Sequence, residues 1–143
     1  MTYRIITGKT WPKLAKARRN HPGHVRGRMN STERAYAEYL GKLKLCGEII
    51  EYGFENLTLV LSRPPDGEKG RSVTWTPDFQ VLRSDHTIEL IDVKGGRPDL
   101  HAQQAKIRIA ASVFWWYRFT VARRLKKAEG GGWQHEPVNH DFT

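Results

Sequence analysis

Ile88-Glu89-Leu90-Ile91-Asp92-Val93-Lys94-Gly95 is the stretch from which the chain is read. Apolar and β-branched residues, closed by Gly95-Gly96, predict a strand. Strand side chains alternate, so Asp92 and Lys94 share one face while Ile91 and Val93 point to the other. An acid and a lysine on an otherwise apolar strand are costly unless something compensates them. Upstream, Thr74-Trp75-Thr76-Pro77-Asp78-Phe79 is also strand-like. Pro77 offers no N–H there, so the sheet should loosen or bulge just before Asp78. Two antiparallel strands turning near Arg83-Ser84-Asp85 would bring Asp78 level with Asp92. Two carboxylates and a lysine would then converge at a distorted strand end, a pattern suited to a divalent metal. Each motif also has a plain structural reading: a solvated strand face for Asp92 and Lys94, and a turn-opening pair for Pro77-Asp78.

Asn30 opens a helix predicted to run to about Cys46 and to stop at Gly47. Tyr36, Tyr39, Leu40 and Leu43 recur at i, i+3, i+4 and i+7 and mark its apolar face. Glu33 leans toward that face. Standing three residues after Asn30, it also completes a capping box.

In order and spacing, Pro77-Asp78 and Asp92-Val93-Lys94 resemble the PD-(D/E)xK nuclease superfamily. Within it, Trp75-Thr76-Pro77-Asp78-Phe79 followed by Asp92-Val93-Lys94-Gly95 is similar to phage Holliday-junction resolvases of the T7 endonuclease I type. It is similar as well to small phage nucleases of the same superfamily. The resemblance covers residues 30 to 122. It implies a restriction-endonuclease-like α/β core, with a central mixed sheet flanked by helices. The implied activity is metal-dependent hydrolysis of DNA phosphodiesters, structure-specific on branched DNA, in phage recombination or replication. By the same resemblance Mg²⁺ or Mn²⁺ is held by Asp78, Asp92, the Val93 carbonyl and Glu33, the last directly or through water. Hard oxygen donors suit these ions. Lys94 would hold or polarise the attacking water. Asp92 stands where the resolvases usually carry glutamate, a shorter reach within the superfamily pattern. A restriction-like or single-strand-acting nuclease is one alternative, and a basic DNA-binding protein without catalysis is another. The complete set of two acids and a lysine argues against the second.

The 143 residues make one domain, and 38% hydrophobic with 27% charged residues fit a globular chain. No apolar run approaches the roughly 20 residues of a membrane span, and no signal pattern opens the chain. The single cysteine, Cys46, excludes an internal disulfide and suits a cytoplasmic setting, that of the host if the chain is phage-encoded. No Cys/His spacing fits structural zinc. The net charge of +9 is concentrated at the start, where residues 1–30 carry eight basic residues and no acid. Residues 1–29 therefore read as a basic arm, expected to be flexible until it orders on phosphates, with DNA as the partner. Its Lys13, Lys16, Arg18, Arg19, Arg26 and Arg28 are candidate DNA contacts. So are Arg63, Lys69 and Arg71, on a loop over 63–71, and Lys106, on a helix capped by Asp99. The nuclease domain spans 30–143, with a core over 30–122 and a basic C-terminal extension over 123–143. A homodimer is an open assembly state.

Three further expectations concern the fold. Residues 48–62 read as extended, broken at Gly53 or at Glu55-Asn56, either as one bent strand or as a tight pair. Trp115, Trp116, Tyr117, Phe119 and Val121 read as a helix end plus a core strand, with core packing favoured over base stacking. Trp133 to Val138 reads as a short edge strand.

Overall fold

The computed structural model describes residues 25–96 and 101–138. Lys13, Lys16, Arg18, Arg19 and Asp99 lie outside the described residues, and so does the expected flexibility of residues 1–24. The first helix, α1, spans Ser31–Leu45. Its capping box is complete, with Asn30 Oδ1 accepting from the Glu33 N–H and Glu33 Oε2 accepting from the Asn30 N–H, both at 2.8 Å. Gly47, at φ 78°, takes the left-handed turn that ends it.

Among the described residues seven strands follow: β1 (Ile49–Phe54), β2 (Leu59–Ser62), β3 (Val73–Trp75), β4 (Phe79–Arg83), β5 (Ile88–Lys94), β6 (Arg118–Arg124) and β7 (Trp133–Pro137). The second helix, α2 (His101–Val113), lies between β5 and β6. β4 and β5 form the expected antiparallel pair, in register from Phe79 opposite Ile91 to Leu82 opposite Ile88. β5 and β6 are parallel, which requires a crossover that α2 supplies. The central sheet has the order β1-β4-β5-β6-β7 and is mixed.

Each face of this sheet carries its own core. On the α1 side Tyr36 and Leu40 meet Ile49, Phe79, Val81, Ile91 and Ala122. On the other side Ile107, Ala110 and Ala111 of α2 meet Leu90, Phe119, Leu59 and Trp75. β5 is thus covered on both faces, which is why the adjacent Leu90 and Ile91 are both buried and why the strand reads as an unbroken apolar run. The result is an α/β fold with a central mixed sheet flanked by two helices, consistent with a restriction-endonuclease-like core.

Residues 48–62 form neither one bent strand nor a pair. β1 joins the central sheet beside β4, whereas β2 pairs with β3 in a separate two-stranded sheet. The parting occurs where Glu55 turns into the left-handed region, at φ 48°. Just before it, a side chain at Gly53 would collide with that of Asn56. Nor are all the aromatics after α2 core residues. Trp115 and Trp116 are 67% and 56% exposed, because the inward-outward alternation begins only with β6 at Arg118, and the preceding turn carries both indoles outward. Phe119 is buried, as expected. β7 is the expected edge strand, antiparallel to β6. Its Trp133 packs edge-on against Tyr36, with ring centroids 4.8 Å apart. Part of the supposed extension is therefore integral to the sheet.

Candidate active site

Extending the β4–β5 register by one residue sets Asp92 opposite Asp78, and by two sets Val93 opposite Pro77. Pro77 has no N–H to offer the Val93 carbonyl, so the ladder ends there. That leaves the Val93 carbonyl without a ladder donor from Pro77, while the Val93 N–H goes to the Asp78 side chain, Oδ2 accepting at 2.7 Å. The expected loosening before Asp78 is therefore a handover from backbone to side-chain bonding. Burial, together with the neighbouring Asp92 and Glu33 carboxylates, pushes the Asp78 carboxyl up to about 8 against the pull of that N–H.

Lys94 Nζ stands 2.9 Å from Asp92 Oδ2 and donates to Gln103 Oε1 of α2 at 3.0 Å. Glu33 arrives on the first turn of α1 and is 6% exposed. The start of α1 lies close to the end of β5: a Cβ on Gly95 would meet Thr32 Oγ1 at 3.7 Å. Glu33, Asp78, Asp92, Val93 and Lys94 line one cleft of about 570 Å³, together with Arg26, Glu55, Thr58, Thr76, Gln103 and Lys106. The capping reading of Glu33 holds, its Oε2 closing the helix cap, and the same residue contributes to the cleft wall.

Of the candidate DNA contacts, Arg26 and Lys106 line this cleft, Lys106 Nζ also reaching the Thr74 carbonyl at 3.4 Å. Arg28, Arg63, Lys69 and Arg71 do not. The loop over 63–71 leaves from the far end of the β2–β3 hairpin, while the near end, where Thr58 Oγ1 meets Thr76 Oγ1 at 2.8 Å, borders the cleft. Gln103 and Glu55 were missed from the sequence. Gln103 precedes Lys106 by three residues and so shares its helix face, a signal that could have found it. Glu55 has no such local signal.

Chemically, the cleft offers oxygen donors from the carboxylates of Glu33, Glu55, Asp78 and Asp92 and from the Val93 carbonyl, with the ammonium groups of Lys94 and Lys106 beside them. Among the described residues no three His, Cys, Asp or Glu side chains are gathered tightly enough to form a ready-made metal group.

No curated protein and no solved structure gives a significant match to the chain. A family model described as "Protein of unknown function (DUF1064)" matches residues 28–127, a span that holds every cleft residue named above except Arg26. With well over half of its 143 residues inside that match, the chain belongs to the DUF1064 family.

Proposed function

We propose that the protein is a metal-dependent endodeoxyribonuclease that hydrolyses phosphodiester bonds and prefers branched DNA such as four-way junctions. The observation that supports this reading is the meeting of Asp78, Asp92, Lys94 and Glu33, from three separate elements, in one cleft. The resemblance of Pro77-Asp78 and Asp92-Val93-Lys94 to the PD-(D/E)xK pattern adds the chemistry and the substrate class.

The residues fit a divalent cation. Burial first, and then the neighbouring Asp92 and Glu33 carboxylates, raise the Asp78 pKa, and a hard cation in the cleft would favour its charged form. Asp78, Asp92, the Val93 carbonyl and Glu33 would hold Mg²⁺ or Mn²⁺. When bound, the ion supplies charge for the phosphate and a more acidic water. Asp78 keeps its orientation through the Val93 N–H. Lys94, steadied by Asp92 and Gln103, presents an ammonium to the attacking water or to the phosphate oxygens, where charge develops.

The test incubates the protein with Mg²⁺ and matched duplex, single-strand, flap and four-way-junction DNA. Cleavage should require Mg²⁺ or Mn²⁺, stop in EDTA and be poorly supported by Ca²⁺, whose larger, looser shell misplaces the water. Lys94→Ala should cut more slowly by about 10²–10³-fold while its DNA affinity stays within about tenfold, some 1.4 kcal/mol. Mg²⁺ should also raise the melting temperature of the wild type and not of Asp92→Asn, a readout independent of DNA. Robust cutting in EDTA, or full activity in Lys94→Ala, would rule the mechanism out.

A further inference from the structure

We infer that Arg26 contacts a substrate phosphate at the cleft and that Glu55 positions it there, an inference that rests on the nuclease reading above. Glu55 is 8% exposed and, at φ 48°, holds a left-handed backbone that glutamate seldom adopts. Such a conformation persists only where the surroundings impose it, and two bonds do so here. The Glu55 N–H donates to the Asp78 carbonyl at 2.9 Å, which fastens the residue beside the catalytic carboxylates. Its Oε2 accepts from the Gly27 N–H at 2.6 Å. Gly27, at φ 79°, sits in the turn that the Arg28 N–H closes onto the Val25 carbonyl at 3.0 Å. Glu55 therefore holds that turn by its middle, and Arg26, the preceding residue, lines the cleft with Asp78, Asp92 and Lys94.

Charge gives the arginine its task. Four carboxylates line the cleft, those of Glu33, Glu55, Asp78 and Asp92, and Lys94 is already engaged with Asp92. An incoming phosphodiester needs further cations, and a guanidinium matches phosphate oxygens with two parallel N–H donors. The Arg26 side chain is exposed, so it can turn to a phosphate without unpacking the core. The Glu55 carboxylate does not touch the substrate in this scheme. It is a positioning residue.

The experiment uses the full chain and measures affinity for duplex and four-way-junction DNA over a range of salt, with single-turnover cleavage in Mg²⁺. The variants are Arg26→Ala, Glu55→Asn, Glu55→Gln and the double variant Arg26→Ala/Glu55→Asn. Asparagine tolerates the left-handed backbone but is too short to reach Gly27, whereas glutamine keeps an acceptor there. Arg26→Ala should weaken binding about tenfold and reduce the salt slope by about 0.9, the value of one neutralised duplex phosphate. Glu55→Asn should do the same, and Glu55→Gln should recover most of the affinity. The double variant should bind no worse than Arg26→Ala alone, because both changes remove the same interaction. Unchanged affinity and slope in Arg26→Ala, or additive losses in the double variant, would overturn the inference. If Glu55→Asn loses its cooperative melting transition, Arg26→Ala and Glu55→Gln decide alone. A wild type that binds DNA without cutting it overturns the nuclease reading and leaves the arginine contact to be read from affinity. A wild type that binds no DNA overturns both.

Discussion

Asp78 is protonated in the folded chain over a pH range in which an ordinary aspartate is charged, because burial and its acidic neighbours raise its pKa to about 8. Between about pH 4, the unfolded value, and about pH 8 the folded state binds more protons than the unfolded one. Stability without metal should therefore fall as pH rises through that window. Asp78→Asn keeps an acceptor for the Val93 N–H and removes the charge, so it should raise stability at pH 8 by on the order of 2 kcal/mol and flatten the pH dependence. Chemical denaturation in EDTA at pH 5 and pH 8 measures both effects. A variant less stable than the wild type at pH 8 would mean that Asp78 is not under electrostatic strain.

At the scale of elements, α1 joins the fold's stability to the site through one side chain. Asn30→Ala breaks the capping box and should cost about 1 kcal/mol of stability. Glu33→Gln keeps a capping-box partner at the same position, so its stability should change by less than about 0.5 kcal/mol, while Mg²⁺ affinity and cleavage fall. Thermal melts with and without Mg²⁺ separate the two variants, and equal stability losses would reduce Glu33 to a cap alone. Farther along, α1 leans on β7, where the Tyr36 hydroxyl and His135 Nε2 lie 3.0 Å apart. Burial holds the His135 pKa below the usual histidine value. Its contribution is thus present above about pH 6.5 and fades as pH falls below it. With the ring half exposed to solvent screening, that contribution is on the order of 0.5 kcal/mol. Melts of wild type and His135→Gln between pH 5 and pH 8 should converge at the acid end, and parallel curves would exclude the effect.

For the molecule as a whole, charge is the governing quantity. The +9 net charge comes almost entirely from residues 1–30, whose eight basic residues face no acid in that segment. Part of this segment belongs to the domain, since Gly27 bonds to Glu55 and Met29 packs on the α1-side core. Deleting residues 1–24 leaves those interactions in place and removes six of the eight cations, Arg4, Lys9, Lys13, Lys16, Arg18 and Arg19. The truncated protein should melt as the full chain does. Its affinity should fall on every DNA shape, and its salt slope should flatten by about 0.9 for each duplex phosphate that the arm had neutralised. A weakening confined to four-way junctions would instead show that the arm orients the enzyme on branched DNA, and an unchanged slope on both would leave it no role in binding.

The sequence by itself determined those features whose causes lie within a few residues of each other. The bounds of α1 follow from Asn30 with Glu33 at one end and Gly47 at the other, because capping and left-handed termination are local backbone chemistry. The level pairing of Asp78 with Asp92 follows from a short hairpin and from a proline that ends its ladder. Partner choice among distant segments was decided only by the tertiary structure. Residues 48–62 read as extended on either side of a break at Gly53 or Glu55-Asn56, yet that the first half joins the central sheet and the second pairs with β3 is set by contacts with distant segments. Trp115 and Trp116 look like core residues by composition and became surface residues because the turn before β6 carries them outward. Glu55 entered the cleft through bonds to Gly27, 28 positions away, and to Asp78. No local pattern encodes those bonds, since each depends on where the packed sheet brings the backbone of another segment.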